Sequence, residues 1–163
     1  MYDLDYTLKI MDKYCKEAEE CYEKEFFVAS FILYSAALEA SLLALCFIHD
    51  RQVRRTNEYR ETKKSSSRER GFFLDFNLKQ LLSIAKKLGW LPMGEIVGET
   101  KDWGDWIEGS RNLIHAARWL KAKAYFGNVE EITSPESKDK YKEFVDMSRR
   151  AISEIKKKIY KEL

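Results

Sequence analysis

Glycine and proline are scarce in this chain, with 7 Gly and 2 Pro among 163 residues. Sheet proteins join many short strands through turns that depend on these two residues, so their scarcity excludes a turn-rich β architecture. The length suits a single domain with one hydrophobic core. We therefore predict an all-α fold, an up-and-down bundle of about five helices, in which residues 1–163 form one domain.

Cysteine and histidine are also few. Cys15, Cys21 and Cys46 are odd in number and have no Cys-x-x-Cys spacing, which excludes a disulfide framework and a zinc cluster. We predict that the three are small buried thiols and that the chain needs no metal and no cofactor. His49 and Asp50 do not make a metal pair, because neighbours on a helix point about 100° apart.

A large excess of one charge is absent as well, since 29 basic and 27 acidic residues leave a net charge of +2. Any contact with a polyanion must then come from a local cluster. From Asp50 to Arg70 there are eight basic residues against four acidic ones. This segment is either a solvated helix end followed by a mobile loop over 62–71, or a surface that contacts phosphates. In the second case Arg51, Arg54 and Arg55 are the candidate substrate-binding residues.

Two helices are predicted in the first third of the chain. Residues 3–24 carry apolar side chains at helical spacing between charged ones. Residues 26–48 are apolar on all sides and long enough to span a bilayer, but Glu39 near the middle would be costly in lipid. We expect a central helix covered by its neighbours, with no membrane span. The N-terminal segment MYDLDYTLKI lacks the basic flank and apolar core of a signal peptide, which favours a cytoplasmic location.

Capping signals place the helices that follow. The second helix is expected to run on past His49. Asn77 and Gln80 form a capping box for the next one, which ends at Gly89 before Pro92.

A fourth helix is predicted over 103–120 and a fifth over 135–162, the latter with a second capping box from Thr133 to Glu136. Six apolar residues of the fifth helix are predicted to face inward: Phe144, Val145, Ala151, Ile152, Ile155 and Ile159.

The segment SRNLIHAAR in the fourth helix places Arg111 one turn before His115, at the border between the core face and solvent. A neighbouring cation lowers the pKa of a histidine and keeps it available as a base, and an arginine fork suits a phosphate oxygen. The pair could therefore cleave RNA without a metal. Alternatively, Arg111 is structural and neutralises a carboxylate, for which Glu39 is the natural candidate and Glu108 lies nearby.

Three segments together resemble the HEPN superfamily of small α-helical proteins: YSAALEASLL, FNLKQLLSIAKKLGWLP and SRNLIHAAR. The resemblance covers roughly residues 25–120. It implies a homodimeric, metal-independent endoribonuclease or RNA-binding component of a toxin or defence system, with RNA and an antitoxin or other protein as partners. Carried over by position, Arg111, Asn112 and His115 are the catalytic residues, and Arg118 beside them is a substrate-binding candidate.

Two departures separate the motif from the family pattern of Arg, four to six residues, then His, with proline next. Only three residues lie between Arg111 and His115, and Ala116 replaces the proline. If the helix continues through this alanine, Trp119 points away from the core, which favours a covering subunit. The alternative function is therefore a non-catalytic dimeric interaction or regulatory module in which Arg111 and His115 are structural.

Overall fold

The computed structural model describes residues 4–65, 73, 75–91 and 135–163, and over these ranges the chain is an all-α helical bundle without strands. The fold class is thus confirmed. Six helices lie in this part of the chain: α1 (Leu4–Glu23), α2 (Phe27–Ile48), α3 (Asp50–Val53), α4 (Asn57–Ser65), α5 (Leu78–Lys87) and α6 (Pro135–Glu162).

Helix α2 is the centre of the bundle, with its most extensive contacts to α1 and α6 and smaller ones to α5. Its serines do not prevent burial because each hydroxyl donates to a backbone carbonyl. Ser30 bonds to the Ala18 carbonyl of α1 at 2.8 Å, and Ser41 bonds to Leu38 within its own helix at 2.7 Å. By length and composition α2 could cross a membrane, but 61% of its most apolar window is buried inside the protein.

Helix α6 runs antiparallel to α1 and parallel to α2. Residues late in α6 pair with residues early in α1, as in the Lys156–Asp12 ion pair at 2.7 Å. In the same direction along α2 and α6, the ring of Phe31 meets the ring of Phe144 at 5.6 Å between centroids. All six residues that the sequence placed on the inward face of α6 are buried, which confirms that prediction.

The prediction that the second helix continues past His49 is wrong. Helix α2 ends at Ile48, where His49 adopts φ −102° and ψ 34°, and two short helices follow. The His49 ring packs against Trp90 at 5.3 Å between centroids. The predicted loop over 62–71 is also wrong at its start, because α4 extends to Ser65 and Thr62 is buried.

Both predicted signals for α5 are confirmed. The Asn77 side chain accepts from the Gln80 backbone N–H at 3.0 Å, and the Gln80 side chain accepts from the Asn77 N–H at the same distance. After the helix, Gly89 takes a left-handed conformation with φ 66°. Its N–H bonds to the Lys86 carbonyl and the Trp90 N–H bonds to the Ala85 carbonyl, which together form a Schellman motif.

The cysteine prediction holds only for Cys46, which is fully buried. Cys15 and Cys21 are partly exposed, because they lie at the edge of the buried face of α1. Three further predictions lie outside the described residues: Pro92 after α5, the helix over 103–120, and the Thr133 cap.

Candidate functional site

The predicted catalytic residues Arg111, Asn112 and His115 lie outside the described residues, as do Arg118 and Glu108. What the structure does place is Glu39, the carboxylate that the sequence analysis offered as a partner of Arg111. Its side chain is half-buried in the middle of α2 and is already engaged in an interaction.

The predicted substrate-binding arginines lie on a short angular segment, which we call the basic corner and define as residues 50–60 of α3 and α4. Its acidic residues are paired internally. Asp50 accepts from Arg54 Nε through both oxygens, at 2.7 and 2.9 Å. Glu58 accepts from the Ser83 hydroxyl at 2.6 Å and from the Lys87 ammonium group of α5.

Three arginines of the basic corner remain available to solvent. Arg51 and Arg55, four residues apart, and Arg60 in α4 are all exposed. Among the residues that the structure describes, none of the three makes an ion pair or a hydrogen bond. Pairing of the carboxylates and exposure of the guanidinium groups together give the corner a net positive surface.

Arg54 has a different role from the one predicted. Besides Asp50, its guanidinium donates to the Tyr59 hydroxyl at 2.8 Å and lies over the rings of Tyr59 and Phe73, at 5.4 and 5.9 Å from their centroids. The hydrogen bond from Asp50 raises the pKa of Arg54 above its usual value. Arg54 therefore fixes the turn between α3 and α4, whereas Arg51 and Arg55 are free to contact a substrate.

Glu58 holds the corner onto α5. Only 11% of its side chain is exposed, and its Oε2 atom is buried without a hydrogen-bond partner. Burial by itself raises the pKa of Glu58, but the bonds from Lys87 and Ser83 outweigh it, and the pKa is lowered. The carboxylate is therefore charged near neutral pH and positions α4 against α5.

A second polar cluster lies between α1, α2 and α6, and the sequence analysis missed it. Glu19 accepts from the Tyr34 hydroxyl and, at 2.8 Å, from Arg149 Nε. Arg149 also lies 4.8 Å above the Tyr22 ring, and the Tyr22 hydroxyl donates to Asp146 at 3.1 Å. The cluster joins residues 130 positions apart in sequence, so periodicity within one helix could not reveal it.

The pKa values in this cluster follow from burial and from Glu19. Burial, followed by the hydrogen bond to Glu19, raises the pKa of Tyr34 far above that of a free phenol. Burial lowers the pKa of Arg149, but Glu19 and Tyr34 more than compensate, and the pKa is raised. Near neutral pH the cluster therefore holds a neutral phenol, a carboxylate and a guanidinium.

No family model, curated protein or solved structure matches this chain. Within 4–65, 73, 75–91 and 135–163, no group of three or more His, Cys, Asp or Glu side chains is arranged to hold a metal ion.

Proposed function

We propose that this chain is a HEPN-like helical protein that acts on RNA as a metal-independent endoribonuclease, in a toxin or defence system. The observation that supports the proposal is the basic corner, where Arg51 and Arg55 are exposed and unpaired while Asp50 and Glu58 are neutralised by other residues. Such a surface attracts the phosphates of a nucleic acid without reading its sequence.

The proposed chemistry uses the SRNLIHAAR segment. His115 takes the proton of a ribose 2′-hydroxyl, whose oxygen attacks the adjacent phosphorus. The bond from phosphorus to the 5′-oxygen breaks, and that oxygen takes up a proton as it leaves. Arg111 stabilises the charge of the pentavalent phosphate, and Asn112 orients one of the two. Arg118, Arg51 and Arg55 contact flanking phosphates.

The first prediction concerns cleavage. Purified protein should cut single-stranded RNA in the presence of a chelator, and His115→Ala should lower the rate by at least about 100-fold, the usual contribution of a general base. His49→Gln is the matched control, because it removes the other histidine of the chain. Full activity of the His115→Ala protein would refute the proposal.

The binding arm of the same experiment uses Arg51→Gln with Arg55→Gln. This pair should weaken RNA binding and lower the slope of log K against log salt by about 2, one unit for each lost phosphate contact. An unchanged salt slope would remove the basic corner from the proposed interface.

A second candidate, a non-catalytic dimeric module, is favoured by large apolar side chains at the start of α2. Phe26, Val28 and Ile32 are exposed by 61%, 38% and 44%. An exposed apolar group of this kind suits contact with another protein. For this candidate the wild type should not cut RNA, and Arg111→Ala should dissociate a dimer or lower its melting temperature, as sedimentation and thermal unfolding would show.

A further inference from the structure

An open groove runs between α1 and α6 with α2 at its base, and it includes the cluster of Glu19, Tyr34 and Arg149. Its volume of about 650 Å³ lies within the range of small-molecule sites. The lining residues are Cys15, Glu19, Tyr34, Asp146, Arg149, Arg150, Ile152, Ser153 and Lys156. No role in RNA cleavage has been given to any of them above.

The α6 wall of the groove presents hydrogen-bond donors at helical spacing. Arg149, Ser153 and Lys156 follow each other at intervals of four and three residues, which places them on one face of the helix. Arg150 lies beside them in the lining. Donors on successive turns can reach different oxygens of one bound group, so this wall favours an anion with several oxygens.

The carboxylates near the groove are already neutralised. Glu19 accepts from Arg149 and Tyr34, Asp146 accepts from Tyr22, and Asp12 is paired with Lys156. A bound cation would therefore have to displace existing partners.

Cationic donors, in contrast, are left over. Within the described part of the chain, Arg150 and Ser153 are exposed and make no hydrogen bond or ion pair through their side chains. Arg149 hydrogen-bonds through Nε alone among the described contacts, out of five N–H donors, and 39% of its side chain is exposed. Its position is set by Glu19 and by the Tyr22 ring, so little side-chain entropy is lost when it binds.

We propose that this groove binds the phosphate group of a small molecule, with Arg150 and Ser153 as direct donors and Arg149 as the prepositioned cation. Phosphate is favoured over carboxylate because it offers three acceptor oxygens to donors spread over two helical turns. The site is separate from the basic corner and does not depend on RNA cleavage.

Cys15 provides a local reporter for occupancy, because it lines the groove, whereas Cys21 is also partly exposed on α1 but lies outside the lining. The experiment measures alkylation of each cysteine by iodoacetamide, with mass spectrometry as the readout. Inorganic phosphate is the probe, and acetate at equal ionic strength is the reference. We expect phosphate to slow the alkylation of Cys15 several-fold and to leave the rate at Cys21 unchanged.

Variants assign the effect to the proposed donors. Arg150→Gln with Ser153→Ala should abolish protection of Cys15, each protein being compared with itself without phosphate. Lys157→Gln should retain it, because Lys157 lies on α6 outside the groove and pairs with Glu154. Arg51→Gln with Arg55→Gln should also retain it, even where RNA binding is lost.

Three results would overturn the proposal. These are an unchanged Cys15 rate in phosphate, equal protection by acetate, and protection that survives in the Arg150→Gln, Ser153→Ala protein. None of them bears on RNA cleavage by His115, so the two proposals fail independently.

Discussion

Cys46 shows how burial of one small side chain makes stability depend on pH. The thiol has no exposed surface, and burial raises its pKa to about 12. In the unfolded chain a thiol ionises near pH 8.5. Because the folded pKa is the higher one, the folded state keeps a proton that the unfolded state loses. The contribution to stability is therefore complete below about pH 8.5 and is lost as the pH rises toward 12.

We predict that Cys46→Ala flattens the alkaline loss of stability. Between pH 7 and pH 10 the wild type should lose about 2 kcal/mol more unfolding free energy than the variant, since only the wild type carries the buried thiol. The measurement is urea unfolding at each pH under reducing conditions. Ile84→Val is the control, because it removes one buried methyl group of α5, costs about 1 kcal/mol and does not titrate. Parallel curves for wild type and Cys46→Ala would contradict the expectation.

At the scale of elements, two helices end in the same motif with different residues. After α1, the Glu25 N–H bonds to the Tyr22 carbonyl and the Phe26 N–H bonds to the Cys21 carbonyl, as in the Schellman motif that ends α5 at Gly89. Glu25 has φ 59°, a left-handed conformation that costs a residue with a Cβ about 1 kcal/mol. Packing of α1 against α2 compensates for this cost.

Opposite substitutions at these two positions should have opposite effects. Gly89→Ala should destabilise the protein by about 1 kcal/mol through backbone conformation alone, because a Cβ there would meet no atom within 4 Å. Glu25→Gly should stabilise it by about 0.5 kcal/mol, less than the full conformational gain because the glutamate also takes part in an interaction. Chemical denaturation measures both, and changes of the same sign would show that the left-handed geometry is not what matters.

The elements that the sequence could predict are those with a local cause. The capping box at Asn77, the glycine after α5 and the inward face of α6 all depend on residues within a few positions of each other. The break at His49 and the left-handed Glu25 have no such signal, since their conformations are imposed by packing with other helices. The groove was missed for the same reason, because Glu19 and Arg149 meet only when α1 lies against α6. In the basic corner, composition predicted the arginines but could not show that Arg54 is held by Asp50 and Tyr59.

For the whole molecule, the decisive question is what surrounds α2, since this helix could cross a membrane by length and composition alone. Two neighbouring positions separate the possibilities. Phe31 is fully buried against Phe144 of α6, whereas the next residue, Ile32, is 44% exposed. In lipid, a charge at either position would face an apolar medium or another helix, and both would be costly.

In the bundle described here, the same substitution at the two positions should give opposite results. Phe31→Glu removes a buried aromatic ring, worth about 3–5 kcal/mol, and also buries a charge, so it should abolish cooperative unfolding. Ile32→Glu should change stability by no more than about 0.5 kcal/mol, because the new carboxylate reaches water. Circular dichroism melts in buffer without detergent test the pair. If Ile32→Glu proved as damaging as Phe31→Glu, the exposed side of α2 would have to be covered by lipid or protein, because only desolvation makes a carboxylate so costly there.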